Sequence, residues 1–330
     1  MLFQKYGFPL IVIVVFLLLV LGACQQQMEK DEAESHLRAF DNELVRMTQN
    51  ISKTTSLATL DFLSGKANVP LPYMFGNEES DESSQAYHFE SFRGIYRLDT
   101  IKNTFIKTAM SDSIIIYFHN PVLNHVKTKL ILAQFKEEPS NSAFQFPTEI
   151  DMIMEAGERT IMRIDHNATI EYGIPTELDF YGLFDNYEIK SAISTRLRRT
   201  SGRLRLETNV LRDGEQIFDW LLRAGLGFEE GVTYRLRRVR MDVGIFPARF
   251  RVRVNNHEIP LKTNDYVADF NENSTITIHS TTKNQLVGHV ELYSRENSDK
   301  LDYIVRFEDD SYLFLEDFLI TARSILNIRR

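Results

Sequence analysis

"EIDMIMEAGERTIMRIDHNATIEYG", residues 149–173, decides the fold of this chain. Two runs of alternating apolar and polar residues flank the small pair Ala156-Gly157. Runs of this kind bounded by turn residues read as strands, so the stretch is a hairpin. The pattern continues on both sides. "SDSIIIYFHN" (111–120) and "KTKLILAQFK" (127–136) are β-branched or aromatic runs bounded by turn residues. "NVLRDGEQIFDW" (209–220) carries Asp213-Gly214 between two strand-like halves, a strong hairpin signal. Asn255-Asn256 marks another turn in "RFRVRVNNHEIPL", because Asn tolerates positive φ. "YIVRFEDDSYLFLEDFL" reads as a hairpin through Glu308 to Ser311.

No helical period interrupts these strands over about 200 residues, which favours an antiparallel meander over βαβ units. The expected fold is mainly β with flanking helices: a large antiparallel sheet, formed as a curved sheet, a half-barrel or a sandwich. Before it, Leu37, Phe40, Leu44, Met47 and Ile51 recur at helical spacing and share one face. Such a stripe packs on its own core more often than on a partner. "LEDFLITARSILNIRR" predicts a short C-terminal helix, with Arg329 and Arg330 placed to complement its dipole. The expected segments are 1–23 as a leader, 24–34 as a polar tether, 35–64 as helix, 65–91 as a Pro-, acid- and Ser-containing loop, and 92–330 as the β domain.

The leader follows from the first 24 residues. Lys5 precedes an apolar run of about 15 residues, "FPLIVIVVFLLLVLG", and then Ala23-Cys24. A spanning helix needs about 20 apolar residues, whereas a signal-peptide core runs to about 15 and ends at small residues. Leu21-Gly22-Ala23-Cys24 resembles the lipobox of bacterial lipoproteins. That resemblance implies cleavage before Cys24, acylation of its thiol and a stable membrane anchor of more than one acyl chain. The acidic polar stretch after Cys24 resembles the surface-export signal of Bacteroidota lipoproteins. Residues 145–220, with "IEYGIPTELDFYG" and the Asp213-Gly214 hairpin, are similar to Bacteroidota envelope lipoproteins with a β-meander body. The similarity implies fold and compartment, an outer-membrane site on the periplasmic or surface face, and no particular activity. Cys24 is the single cysteine, so the fold has no intramolecular disulfide.

The chain of 330 residues carries a formal net charge of -8, which argues against a general nucleic-acid binder. Against that background arginine clusters. Between Arg196 and Arg253 stand 14 arginines and 7 acidic residues, a local balance of +7. Many lie two apart: Arg196 and Arg198, Arg203 and Arg205, Arg235 and Arg237, then Arg249, Arg251 and Arg253, nine candidates for one face, with Arg238 and Arg240 a further such pair. In a strand, such pairs point to the same face. Leu204 and Leu206 alternate with Arg203 and Arg205, so the opposite face is expected to be apolar. The Arg face is a candidate site for an anionic lipid, glycan or envelope protein, since the guanidinium fork suits phosphate and carboxylate. The competing reading is a solvated face neutralised by cross-strand Glu and Asp.

No metal, cofactor or nucleophile motif stands out. His119 and His125 form the only close histidine pair among eight, and their spacing matches no compact metal motif. Asp165-His166 invites comparison with a catalytic triad, but no G-x-S-x-G accompanies it. The leading expectation is a non-enzymatic, lipid-anchored binding or scaffold protein. The alternatives are a lipid or lipoprotein carrier or assembly accessory, and a surface glycan hydrolase. The anchor assignment predicts that Cys24→Ser abolishes fatty-acid labelling and releases the protein from membranes; retained labelling would refute it.

Overall fold

The computed structural model describes residues 27–72, 87–139, 145–171, 174–229, 232–255, 265–295 and 301–317. Three helices come first: α1 (Lys30–Ser52), α2 (Thr55–Ser64) and the single turn α3 (Phe89–Phe92). Twelve strands follow: β1 (Gly94–Asp99), β2 (Thr104–Ala109), β3 (Ile114–Asn120), β4 (Val126–Pro139), β5 (Gln145–Ala156), β6 (Arg159–Glu171), β7 (Ile174–Phe184), β8 (Tyr187–Leu197), β9 (Ser201–Arg212), β10 (Glu215–Glu229), β11 (Val232–Ile245) and β12 (Ala248–Val254). After α4 (Tyr266–Glu272) come β13 (Ser274–Ser280), β14 (Leu286–Ser294), β15 (Leu301–Arg306) and β16 (Tyr312–Phe314).

All sixteen strands belong to one open sheet. From β3 to β16 every strand is paired antiparallel with its neighbours in sequence, as the turn chemistry foretells. The hairpin at Asp213-Gly214 has φ of 52° and 83°, the left-handed pair that a two-residue hairpin turn requires. Gly157 (φ 62°) turns β5 into β6, and Asp310 (φ 60°) lies in the β15–β16 turn. Apart from isolated bridges, the one parallel strand pair among the described residues is β1 with β3, and β2 folds back on the outer side of β1.

Across the meander, residues alternate between an apolar and a polar face. One apolar row runs Leu130, Met154, Met162 and Phe184 across β4 to β7. Two buried clusters lie on that face. The first gathers Ile114, Ile116, Leu130, Leu132, Met152 and Met162 with Leu63, and Leu57, Leu60 and Phe62 pack against it. Asn120, fully buried, ties α2 to the end of β3: its Nδ2 donates to Thr59 Oγ1 at 2.7 Å and its Oδ1 accepts from Val122 N at 3.0 Å. The second cluster sets Ala33, Leu37 and Phe40 of α1 against Ile245, Ala248, Ile278 and Val290, with Leu44 and Met47 alongside. The α1 stripe is therefore core-facing.

Several boundaries differ from expectation. α1 begins at Lys30, inside the stretch read as tether, and Met28 is buried, its N–H donating to Leu286 O at 2.8 Å. The tether reading thus gives way from Gln27 onward, because a backbone bridge to β14 holds the chain there. α4 was not foreseen. Asp265 caps it by accepting from Ala268 N at 3.0 Å, and Asn271 secures it by bonding both backbone groups of Leu292. Of the C-terminal helix, the described residues contain a 3₁₀ turn at Leu315–Asp317; residues 318–330, like Cys24, residues 1–26 and the turn residue Asn256, lie outside them.

Deleting a fully buried Leu side chain costs about 2–5 kcal/mol. Leu37→Ala should cost that much and speed amide exchange in β12–β14, leaving β4–β6 protected, since the two clusters involve different strands. Uniform loss of protection would contradict this division.

Candidate anion-binding face

The polar face of β8–β12 is built by register. One row across the strands reads Arg196, Arg203, Gly225, Arg238. The next reads Ser194, Arg205, Arg223, Arg240, Arg253, Thr275. Four arginines thus stand side by side on four adjacent strands, about 4.8 Å apart in backbone spacing. All seven arginines in the two rows are exposed. Arg205 is held by Glu207 at 2.7 Å. The other six make no ion pair with a carboxylate among the described residues. Directly opposed like charges destabilise a sheet, so this arrangement does not follow from folding alone. On the reverse side Leu204, Leu206, Leu222, Met241 and Val252 lie half-buried, as the alternation with Arg203 and Arg205 requires.

Two further rows carry the compensation. Glu207, Leu221, Asp242 and Arg251 form the third row; Asn209, Asp219, Gly244, Arg249 and His279 the fourth. Arg249 bridges Asp219 (Nη2–Oδ1 2.7 Å) and Asp242. Burial opposes the Arg249 charge, yet bonds to both carboxylates outweigh it and hold its pKa above the usual arginine value. Gly244 makes this cluster possible. A Cβ there would meet Asp219 Oδ1 at 2.5 Å and the Arg249 guanidinium at 2.6 Å. Arg251 reaches Asp242 at 3.6 Å. Burial, then the Arg251 charge, pushes the His279 imidazole below its ordinary pKa, so it is neutral at neutral pH. The face therefore grades from a neutralised end to a basic end at the β8–β9 hairpin, where Arg198 and Arg199 are also exposed.

Of the nine arginines singled out from sequence, Arg196, Arg203, Arg205, Arg249, Arg251 and Arg253 share this face. Arg198 falls just beyond β8, in the turn closed by its N–H donating to Ser201 O at 2.7 Å. Arg235 pairs its backbone with Gly227; its side chain lies outside the described residues. Arg237 lies at a break in the alternation, yet its side chain comes to the polar face that Gly227 shares with Ser201 and Arg203. A bulge opposes Gly225 to Arg238 and Leu226 to Leu236, leaving Arg237 as the extra residue, with its guanidinium over Gly227. Arg238 and Arg240, a pair noted for its spacing but not among the nine, and Arg223, which has no such spacing, complete the rows.

Other constellations resolve differently. Asp165 and His166 lie on opposite faces. His166 is buried with Nε2 2.8 Å from Pro147 O, whereas Asp165 meets Arg163 on the polar face at 2.7 Å. They cannot form a catalytic pair. A shallow depression of about 410 Å³ on the polar face is lined by Asp165, Asp179, Lys190 and Glu207. Asp165 and Glu207 are already engaged by Arg163 and Arg205, and Lys190 by Glu188 at 3.0 Å. Among the described residues, no group of three or more His, Cys, Asp or Glu side chains is placed to hold a metal. No protein-family model matches the chain, and no curated protein or solved structure matches it.

If the second row is held together against its own charge, Arg223→Thr or Arg240→Thr should each stabilise the fold. The expected gain is about 0.2–1 kcal/mol at low ionic strength. It should shrink at about 1 M salt, where the screening length is about 3 Å. A loss of stability at low salt would show that these side chains contribute more by packing than they cost by repulsion.

Proposed function

We propose that this chain is a lipid-anchored cell-envelope protein that binds an anionic partner through the arginine rows of β8–β12. The observation that carries the reading is the second row, four adjacent arginines with Glu207 as their one carboxylate partner among the described residues. An anionic ligand would supply the missing counter-charges, and planar guanidinium groups suit bidentate contact with phosphate, sulfate or carboxylate oxygens. A non-enzymatic role fits a site made of permanent cations on a rigid sheet.

The anchor places the site. With Cys24 acylated, two residues, Gln25 and Gln26, would separate it from the Gln27–Leu286 bridge, at most about 10 Å of chain. Leu286 pairs with His279, in the fourth row. The outermost arginine row lies three rows further along the strands, about 20 Å away. This separation favours a partner other than the lipids around the anchor itself: an acidic polysaccharide, lipopolysaccharide or an acidic envelope protein. Among the described residues no helix is long and apolar enough to cross a membrane.

The carrier alternative draws on the apolar face of the sheet. That face is occupied by α1 and α2 where the two clusters form, which supports a filled core over a lipid cavity. The hydrolase alternative would need free convergent carboxylates, and two of the three in the polar depression are ion-paired.

Arg203, Arg205, Arg223 and Arg240 test the proposal. Each basic residue at an anionic surface contributes about 1 kcal/mol, so changing all four to Gln should weaken binding to lipopolysaccharide by roughly two to three orders of magnitude. The affinity of the native chain should fall with rising salt. Undiminished binding by the quadruple variant would leave the rows as a solvated surface.

A further inference from the structure

The "HNPVLNH" segment and the β1–β3 junction remain outside this account. β1 and β3 pair in parallel only as far as Arg97 opposite Tyr117. Beyond that point β1 bends into the turn at Asp99, and β3 runs on through Phe118 to Asn120. The diverging strands open a crevice of about 620 Å³, within the size range of small-molecule sites. Its walls carry Lys66, just beyond α2 on the helix-covered side, and, on the polar face, Arg97 from β1, His119 from β3 and Lys127 from β4, with His125 from the turn between β3 and β4. Among the described residues no carboxylate lines it. Asp99, the nearest acid in sequence to Arg97, turns back to accept from the N–H groups of Ile101 and Lys102. None of the five basic side chains is ion-paired with a carboxylate among the described residues.

Two of the cations are held in place by rings. Lys66 Nζ lies 4.3 Å from the centre of the Phe62 ring, and the Arg97 guanidinium 6.0 Å from that of Tyr117. Phe62 in turn stacks on buried Phe118. The turn bearing His125 is fixed at its base by fully buried Asn120, whose carbonyl accepts from His125 N at 2.8 Å. Asn124 (φ 49°) and His125 (φ 62°) adopt left-handed backbone to make that turn. Positive φ is uncommon outside glycine. Such positions persist where the surrounding structure enforces them.

We infer that this crevice binds a small phosphomonoester, its phosphate held by Arg97 and Lys127 on the polar face of the sheet and its carbon portion laid against the exposed ring of Tyr117. Two permanent cations on one face, with no carboxylate partner among the described residues, suit a phosphate dianion better than a singly charged carboxylate. His119 and His125 each add a ring N–H donor, which imidazole keeps even when neutral. The site is distinct from the arginine rows: it uses β1, β3 and β4, near the opposite edge of the sheet.

Calorimetry on the full chain can decide, with two probes: a hexose phosphate for a free ligand, and a short-chain phosphatidate for a lipid headgroup. Saturable binding of either, weakened at least about tenfold in Arg97→Gln/Lys127→Gln, supports the site, and the probe that binds names the source. Both side chains are exposed, and thermal melts confirm that the variant folds. An Arg38→Gln/Arg46→Gln control, two exposed arginines of α1 outside both sites, should bind as the native chain does. No saturable binding of either probe, binding retained in the Arg97/Lys127 variant, or binding lost in the control would overturn the inference.

Discussion

In a meander each hairpin inherits its register from the one before. A slip of one residue would carry the apolar side chains of every later strand to the polar face. Here the faces stay segregated from β3 to β13, and bulges keep them so. In β4, Leu130 and Leu132 are buried, and strict alternation would place Gln134 next. A register shift between Leu132 and Gln134 admits Ala133 as the extra residue and returns Phe135 to the core, opposite Ile150. The helices then have a continuous apolar surface to cover, α2 over the first strands and α1 over β11–β14.

The same register produces the arginine rows. Each arginine alone would be an ordinary exposed residue in a strand. Cross-strand pairing sets Arg205, Arg223, Arg240 and Arg253 against one another, and apolar contacts on the reverse side hold them there. Where the chain neutralises arginine it does so thoroughly: Arg249 takes two carboxylates over a glycine that makes room for them. The contrast within one face, compensated near the Gln27–Leu286 bridge and uncompensated near the β8–β9 hairpin, separates a structural ion cluster from a surface free to meet an external anion.

What could be read from sequence was what local chemistry dictates. Ala156-Gly157, Asp213-Gly214 and the turn through Asp310 sit where positive φ is needed, and the stripe from Leu37 to Met47 faces the core as its spacing requires. Arginines two apart share a face by strand geometry alone. Their cross-strand neighbours depend on bulges that leave no local signature. A regular two-residue hairpin at Asp213-Gly214 would oppose Arg205 to Leu222; the shift between Gln216 and Phe218 opposes it to Arg223 instead. The bulge at Arg237 likewise defeats simple alternation. The basic crevice was out of reach for a different reason. His119 and His125 are close in sequence, but Arg97 and the Lys66 that follows α2 arrive through tertiary packing.

The central claim is that the arginine rows carry a repulsion that an anionic partner relieves. It is tested most directly by thermal unfolding at low salt, with and without a soluble acidic polysaccharide. A ligand that binds the folded state raises its apparent stability by mass action. The account predicts a clear rise in Tm for the native chain and a much smaller one for the Arg223→Thr/Arg240→Thr variant. An equal rise in both, or none in the native chain, would contradict it.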